Sequence, residues 1–305
     1  MRFEIIGKDA EAHLTWMGLL DALRAGHRLP KAEIGDTFLY RGNDTLLSRA
    51  AWIDGAGSLV KTANVFPDNP SKGEPMIHGA VNLYDDDDGA LQALLDFHLV
   101  TKWKTAGGSL LGAAHLARKD SELILIVGAG TVGHSLRQAY GALFPDARFQ
   151  IWNRTLAKAQ DFAADYPATD VAPDLETAVR RADIVTSATM VTDPILNGEW
   201  LRPGQHIDLI GAYRPDMREA DDTAIRRARV FVDSRDTTIG HIGEIQTPLD
   251  KGVITTADIL ADFYDLEAGT MTRSSDDEIT LFKNGGGAHL DLMTSRYILA
   301  AWQSR

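Results

Sequence analysis

The chain has 305 residues, 44% of them hydrophobic and 24% charged, with a net charge of −12 and no cysteine. This is an ordinary globular composition, long enough for two cores, and its acidic balance argues against a nucleic-acid or anionic-membrane binder. Without cysteine there is no disulfide, zinc–thiolate centre or thiol nucleophile. No apolar run reaches the roughly 18 residues of a membrane span. The start M-R-F-E-I-I-G-K-D-A lacks the apolar stretch of a signal peptide, so a cytoplasmic location is expected.

Residues 9–26 carry Leu14, Met17, Leu20 and Leu23 at helical spacing and end on a glycine. Four alternating segments follow: T-F-L-Y, T-L-L-S-R-A-A-W-I, S-L-V-K-T-A-N-V-F-P and M-I-H-G-A-V-N-L-Y. Turn-forming stretches rich in Gly, Asn, Asp and Pro separate them, so they read as antiparallel strands. The aspartates at 85–88 read as an acidic turn rather than a metal site. Lys61 sits inside one alternating apolar strand, where an ammonium is costly to bury without a partner. Residues 90–117 have a helical pattern, interrupted at 102–109 by K-W-K-T-A-G-G-S, whose small residues permit close packing.

The stretch 123–155 carries the clearest signal. L-I-L-I-V reads as a strand buried on both faces. Gly128, Gly130 and Gly133 follow at G-x-G-x-x-G spacing, with Thr131 and Val132 opening the next helix. Such glycines allow a tight turn, close approach of backbone to a pyrophosphate and tight helix–strand packing. The helix then offers free N–H groups to that pyrophosphate. An NAD site normally has an acid about 20 residues on, to bond the ribose hydroxyls. Here the second strand ends in Asn153, Arg154 and Thr155. A guanidinium with neighbouring amide and hydroxyl groups suits a 2′-phosphate, so NADPH (or NADP+) is expected over NADH.

Further strands are expected at 183–189, 206–212 and 229–234, with helices around 155–166, 175–182 and 219–228. This alternation predicts an α/β fold, with a doubly wound parallel Rossmann-type sheet. Ligands in such sheets lie beyond the carboxyl ends of strands, so 186–189 (including Ala188 and Thr189) and 211–213 (starting at Gly211) are expected to face the cofactor. The tail L-F-K-N-G-G-G-A-H-L-D-L-M reads as a glycine turn into an apolar helix. Residues 116–283 are assigned to the dinucleotide domain. Residues 1–115 and 284–305 are assigned to a discontinuous α+β substrate and dimerisation domain.

The ordered set V-K-T-A-N-V-F-P-D-N-P-S-K-G-E-P, T-K-W-K-T-A-G-G-S, I-V-G-A-G, I-W-N-R-T, G-A-Y-R-P-D-M-R-E and L-F-K-N-G-G-G-A-H-L-D resembles the ornithine cyclodeaminase/mu-crystallin family over essentially the whole chain. The resemblance implies a homodimer acting on a small imino acid. Family members include ornithine cyclodeaminases, archaeal-type alanine dehydrogenases and ketimine reductases of cyclic imines. The I-W-N-R-T segment is similar to the NADPH-using ketimine reductases.

By that resemblance, Lys61 matches an active-site lysine that binds the substrate carboxylate or donates a proton. Lys104 stands where the family has a carboxylate-binding arginine, keeping the charge but losing the bidentate fork; Thr105 follows it on the cofactor side. A second family arginine has no match near Asp36, and Arg49 is expected to supply its charge. His78 falls where a polar residue faces substrate, as a proton donor or a structural histidine. Asp291 matches a position near the site, or simply places an acid at a helix start. The cyclodeaminases' catalytic aspartate is replaced by Ala212, which cannot handle protons and disfavours deamination with ring closure.

The expected activity is therefore NADPH-dependent reduction of Δ1-pyrroline-2-carboxylate to proline, or of Δ1-piperideine-2-carboxylate to pipecolate. Reductive amination of a 2-oxo acid and non-catalytic NADPH binding are the alternatives.

Overall fold

The computed structural model describes residues 3–305. It forms two compact units, one made of the chain up to Lys104 and from Gly287 onward, the other of Thr105–Gly286.

The first unit contains strands β1 (Glu4–Ile6), β2 (Glu33–Arg41), β3 (Asp44–Ile53), β4 (Gly57–Val65), β5 (Ile77–Tyr84) and β6 (Leu91–Asp96). They form one sheet in the order β1-β6-β5-β4-β3-β2. β2 to β6 run as an antiparallel meander, and β1 lies parallel to β6. Alternation buries Ala51, Ile53, Leu59, Ala63, Val81, Leu83, Ala93 and Leu95 on one face. Helix α1 (Trp16–Gly26) and the C-terminal helix α9 (Ala288–Gln303) pack together, and α9 also lies on β3 and β4.

Three local expectations are corrected in this unit. The helix expected over 9–26 is a 3-10 turn (Lys8–His13) followed by α1, because Thr15 is extended and caps α1 by accepting from the Gly18 N–H at 3.1 Å. The segment 90–96 is the strand β6: Ala93 and Leu95 bury one face while the backbone pairs with β5. Its last residue, Asp96, accepts from the Leu99 N–H at 2.7 Å as the helix α2 (Phe97–Leu116) begins. That helix runs unbroken through Gly107 and Gly108. The boundary between units therefore falls within it, earlier than the 115/116 division expected. The aspartates at 85–88 hold backbone: Asp86 accepts from the N–H groups of Gly55 and Gly57, and Asp88 from Ala90.

The second unit comprises β7 (Leu123–Val127), α3 (Thr131–Leu143), β8 (Arg148–Trp152), α4 (Leu156–Ala164), β9 (Thr169–Val171), α5 (Leu175–Arg181), β10 (Ile184–Ser187), β11 (His206–Leu209), α6 (Asp222–Arg227), β12 (Arg229–Val232), α7 (Arg235–Thr238), α8 (Gly243–Asp250), β13 (Ile259–Ala261) and β14 (Thr280–Lys283). Its sheet is wholly parallel, in the order β13-β12-β14-β11-β10-β7-β8-β9. The chain winds outward from β7 through β8 to β9, then returns to β10 on the other side of β7. That reversal is a topological switch point, the place where open parallel sheets bind ligands. β14 lay hidden in the tail: its L-F-K run sits between β12 and β11 with all four residues buried. Gly112 of α2 makes room for it, since a Cβ there would fall 2.7 Å from the Phe282 ring.

Candidate functional site

In the first unit, strand register assembles a charge cluster in which Lys61, Lys104 and Asp291 are buried and Arg49 is half-buried. Arg49 on β3 and Lys61 on β4 are directly opposed, so their side chains share a face. Asp291 is presented by the first turns of α9 and is fully buried. Its Oδ1 accepts from Lys61 Nζ at 2.8 Å, while Lys104 Nζ lies 3.7 Å from its Oδ2. Lys61 Nζ also donates to Thr101 Oγ1 at 2.7 Å and lies 4.6 Å from the centre of the Phe97 ring. Arg49 makes a two-pronged pair with Asp36 on β2, at 2.6 and 3.1 Å.

Burial pushes the Lys61 ammonium below the ordinary lysine range, and Arg49 adds to that, while Asp291 pulls it back up. For Asp291 itself, burial pushes upward, but Lys104, Lys61 and Arg49 together hold it below the usual carboxylate range. Three cations against two carboxylates (Asp36 and Asp291) leave one net positive charge among the five named groups. Asp291 Oδ2 accepts no hydrogen bond among the described residues, and Lys104 Nζ is its ion-pair neighbour.

The sheet does not bring His78 to this cluster. Val81 is the β5 partner of Lys61, and His78 pairs with Asn64, one step out of phase. It therefore projects from the opposite face and is exposed. Thr101, Phe97 and Asp36 had escaped the sequence reading. Thr101 sits one helical turn from Phe97 on α2, and Asp36 becomes visible only once the β2–β3 register is known.

In the second unit, the glycine turn joins β7 to α3. Gly128 has φ +112°, and a Cβ there would fall 2.8 Å from the Ala188 carbonyl oxygen. A Cβ on Gly133 would meet the Gly128 carbonyl oxygen at 2.1 Å, whereas Gly130 has open space beside it. Gly130 is the N-cap of α3, and no side chain among the described residues bonds the first N–H groups of that helix, which begins at Thr131 and Val132. These features fit a dinucleotide pyrophosphate.

Asn153 ties the turn to the end of β8: its Oδ1 accepts from the Ala129 N–H at 3.2 Å and its Nδ2 donates to the Thr155 carbonyl at 3.0 Å. Arg154 and Thr155 are exposed at the strand tip. Ala188, Thr189 and Gly211 lie half-buried at the carboxyl ends of β10 and β11. Thr186 and Ser187, by contrast, are fully buried and spent internally, donating to Asp208 and Glu219. Ala212 is also buried, packed with Met217 and Ile242. Thr105 accepts at its carbonyl from Asn284 Nδ2 at 3.0 Å. Sequence reading missed Glu219, Glu244 and Lys283, three charged groups buried together in this unit; the lysine in the apolar run L-F-K was the available signal.

The glycine turn at the switch point of a parallel sheet gives the chain a Rossmann-type fold. Its sequence is matched over residues 53–305 by the ornithine cyclodeaminase/mu-crystallin family, and the chain belongs to that family. The Δ1-pyrroline-2-carboxylate reductase of Paracoccus denitrificans is 52% identical over 296 residues, covering 95% of this chain and 94% of that protein. Among solved structures, Δ1-pyrroline-2-carboxylate reductase of Thermococcus litoralis, in complex with NADH and L-proline, is 25% identical with a TM-score of 0.90, covering 99% and 98% of the two chains. An archaeal alanine dehydrogenase dimer with bound NAD is 27% identical, also with a TM-score of 0.90, over 100% and 97%.

Proposed function

We propose that this protein is an oxidoreductase that reduces the C=N bond of a cyclic ketimine carboxylate, Δ1-pyrroline-2-carboxylate to proline, and prefers NADPH to NADH. The observation that carries this reading is the Arg49–Lys61–Lys104–Asp291 cluster, in which both lysines and the aspartate are buried. Its lysines and arginine offer cationic partners for a substrate carboxylate. The 52% identity to a reductase of that name supports the same substrate. Δ1-Piperideine-2-carboxylate, one methylene larger, is the second cyclic substrate to test.

The chemistry follows from charge. An imine accepts hydride best when its nitrogen is protonated, so the site must fix the carboxylate and hold a proton near nitrogen. Arg49 and Lys104 would bind the carboxylate. Lys61, with its proton affinity lowered by burial, would hold the proton that passes to nitrogen, and Asp291 would orient Lys61. Gly128, Gly130, Thr131, Val132 and Gly133 would hold the dinucleotide pyrophosphate, and Ala188, Thr189, Gly211 and Thr105 its nicotinamide side. Asn153, Arg154 and Thr155 would hold its adenosine side, where Arg154 supplies a charge for a 2′-phosphate. When bound, the reduced nicotinamide supplies the hydride.

The archaeal alanine dehydrogenase likeness favours reductive amination of a 2-oxo acid as a second reading. Cyclodeamination is disfavoured, because buried Ala212 offers no proton-handling group. No helix among the described residues is long and apolar enough to cross a membrane. A homodimer is proposed from the exposed edge of the first sheet: on β2, Phe38, Leu39 and Tyr40 are 48%, 61% and 73% exposed.

The deciding experiment follows oxidation of NADPH and of NADH with Δ1-pyrroline-2-carboxylate, Δ1-piperideine-2-carboxylate and open-chain 2-oxo acids, with and without ammonium. Turnover of a cyclic substrate independent of ammonium is expected. Turnover only with ammonium would move the assignment to amino-acid dehydrogenation, and dinucleotide binding without any turnover would leave a binding protein.

A further inference from the structure

The loop that follows β10 is wedged between two others. On one side the Gly128 turn abuts Ala188. On the other, Gly211 approaches so closely that a Cβ would fall 2.0 Å from the Thr189 carbonyl oxygen and 2.3 Å from its nitrogen. One fully buried carboxylate, Glu219, joins this loop to the one after β11. Its Oε1 accepts from Ser187 Oγ at 2.6 Å, Thr189 N–H at 2.7 Å and Thr189 Oγ1 at 2.8 Å. Its Oε2 accepts from the N–H groups of Gly211 at 2.6 Å and Ala212 at 3.3 Å. Glu219 is itself held by Glu244, which accepts from the N–H groups of Glu219 and Ala220 at 2.7 and 3.0 Å. The buried Lys283 offsets this negative charge; it donates to the Leu209 carbonyl at 3.0 Å and is drawn upward by Glu219, Glu244, Asp233 and Asp208 against the larger lowering effect of burial.

We propose that Glu219 is a positioning residue for the dinucleotide, tying the loops after β10 and β11 into one fixed ledge beside the glycine turn. This rests on the reading that the second unit binds a nicotinamide dinucleotide. Both carboxylate oxygens face obligate backbone donors, so glutamine cannot replace it. Whichever way the amide is turned, its NH2 group points at an N–H that cannot reverse. The hydroxyls of Ser187 and Thr189 can rotate, but the amides of Thr189, Gly211 and Ala212 cannot.

The test is Glu219→Gln, read by fluorescence titration with NADPH, by hydrogen exchange of the ligand-free protein, and by kinetics. Expected results are a Kd for NADPH raised at least tenfold, with exchange at the Thr189, Gly211 or Ala212 amides accelerated at least tenfold. The KM for the imino acid at saturating NADPH should stay within twofold. A folded Glu219→Gln protein that binds NADPH within twofold of wild type, losing only thermal stability, would overturn the proposal. Should Glu219→Gln fail to fold, Ser187→Ala deletes one buried donor to Glu219 and leaves the carboxylate in place. A rise of Kd by threefold or more supports the ledge, and no change overturns it. Wild-type protein that fails to bind any nicotinamide dinucleotide would overturn the underlying reading, and is distinguished because amide exchange is measured without ligand.

Discussion

Lys61 of β4 and Asp291 of α9, 230 residues apart in sequence, form a buried ion pair at 2.8 Å. Removing Lys61 takes away the hydrogen-bonded partner of Asp291 and leaves it Lys104 at 3.7 Å. With Lys61 as the proton holder, Lys61→Ala is expected to lower kcat/KM at least about 100-fold, equivalent to about 2.7 kcal/mol of transition-state stabilisation. A loss below threefold would remove Lys61 from the mechanism.

The same pair makes a separate statement about pH. Burial lowers the lysine pKa and Asp291 raises it. A protonated donor is lost as pH climbs through its pKa, so kcat/KM should fall on the alkaline side. Asp291→Asn removes the group that keeps the proton on, so the alkaline limb should move to lower pH. A limb that stays in place in a folded Asp291→Asn protein would mean that another group titrates there.

Cofactor choice can be tested at the tip of β8. Arg154 is exposed and makes no ion pair among the described residues, so removing it costs no internal contact. Arg154→Ala should raise the KM for NADPH about tenfold, roughly 1.4 kcal/mol, and leave the KM for NADH within twofold. Equal changes for both cofactors would show that Arg154 does not read the 2′-phosphate.

The parts legible in sequence were those with local signatures. The glycine spacing at 128–133 announced the switch-point turn because each glycine answers a specific steric need. The run L-I-L-I-V announced a strand because burial on both faces demands continuous apolarity. Local pattern failed where tertiary pairing decided the outcome. Residues 90–96 are rich in residues of high helix propensity, yet residues 91–96 pair with β5. The strand β14 is only four residues long, and its buried Lys283 contradicts any hydropathy rule until Glu219 and Glu244 are seen beside it. His78 looked like a neighbour of Lys61, but strand phase sends it to the other face. Register separates these outcomes, and register is set by the whole sheet.

The exposed edge of the first sheet predicts an interface. Among the described residues β2 has no strand beyond it, and it exposes Phe38, Leu39 and Tyr40 while β3 exposes Trp52 at 58%. Long apolar edges of this kind are pairing templates. With a second copy as the occupant, Leu39→Glu should shift the protein from dimer to monomer in light scattering, weakening association at least about tenfold, or 1.4 kcal/mol. An unchanged dimer would place the interface elsewhere.

Glu244 sets the last expectation. Burial, then the neighbouring charge of Glu219, push its carboxyl from 4.5 up to about 7, against the pull of Lys283. Between those two values the folded state binds more protons than the unfolded state, so its contribution to stability falls as pH rises. The contribution is fully present below about 4.5 and lost above about 7. Asp208, pushed up to about 6 by burial, acts with the same sign. Asp183, Asp222, Glu278 and Asp291 are held low and act with the opposite sign, so the total slope is a sum over groups. The difference between wild type and Glu244→Gln isolates one group. Denaturant unfolding at a series of pH values should show the wild type losing stability relative to Glu244→Gln from pH 4.5 to 7, with a constant offset on either side. A flat difference across that window would mean that Glu244 titrates as an ordinary carboxylate.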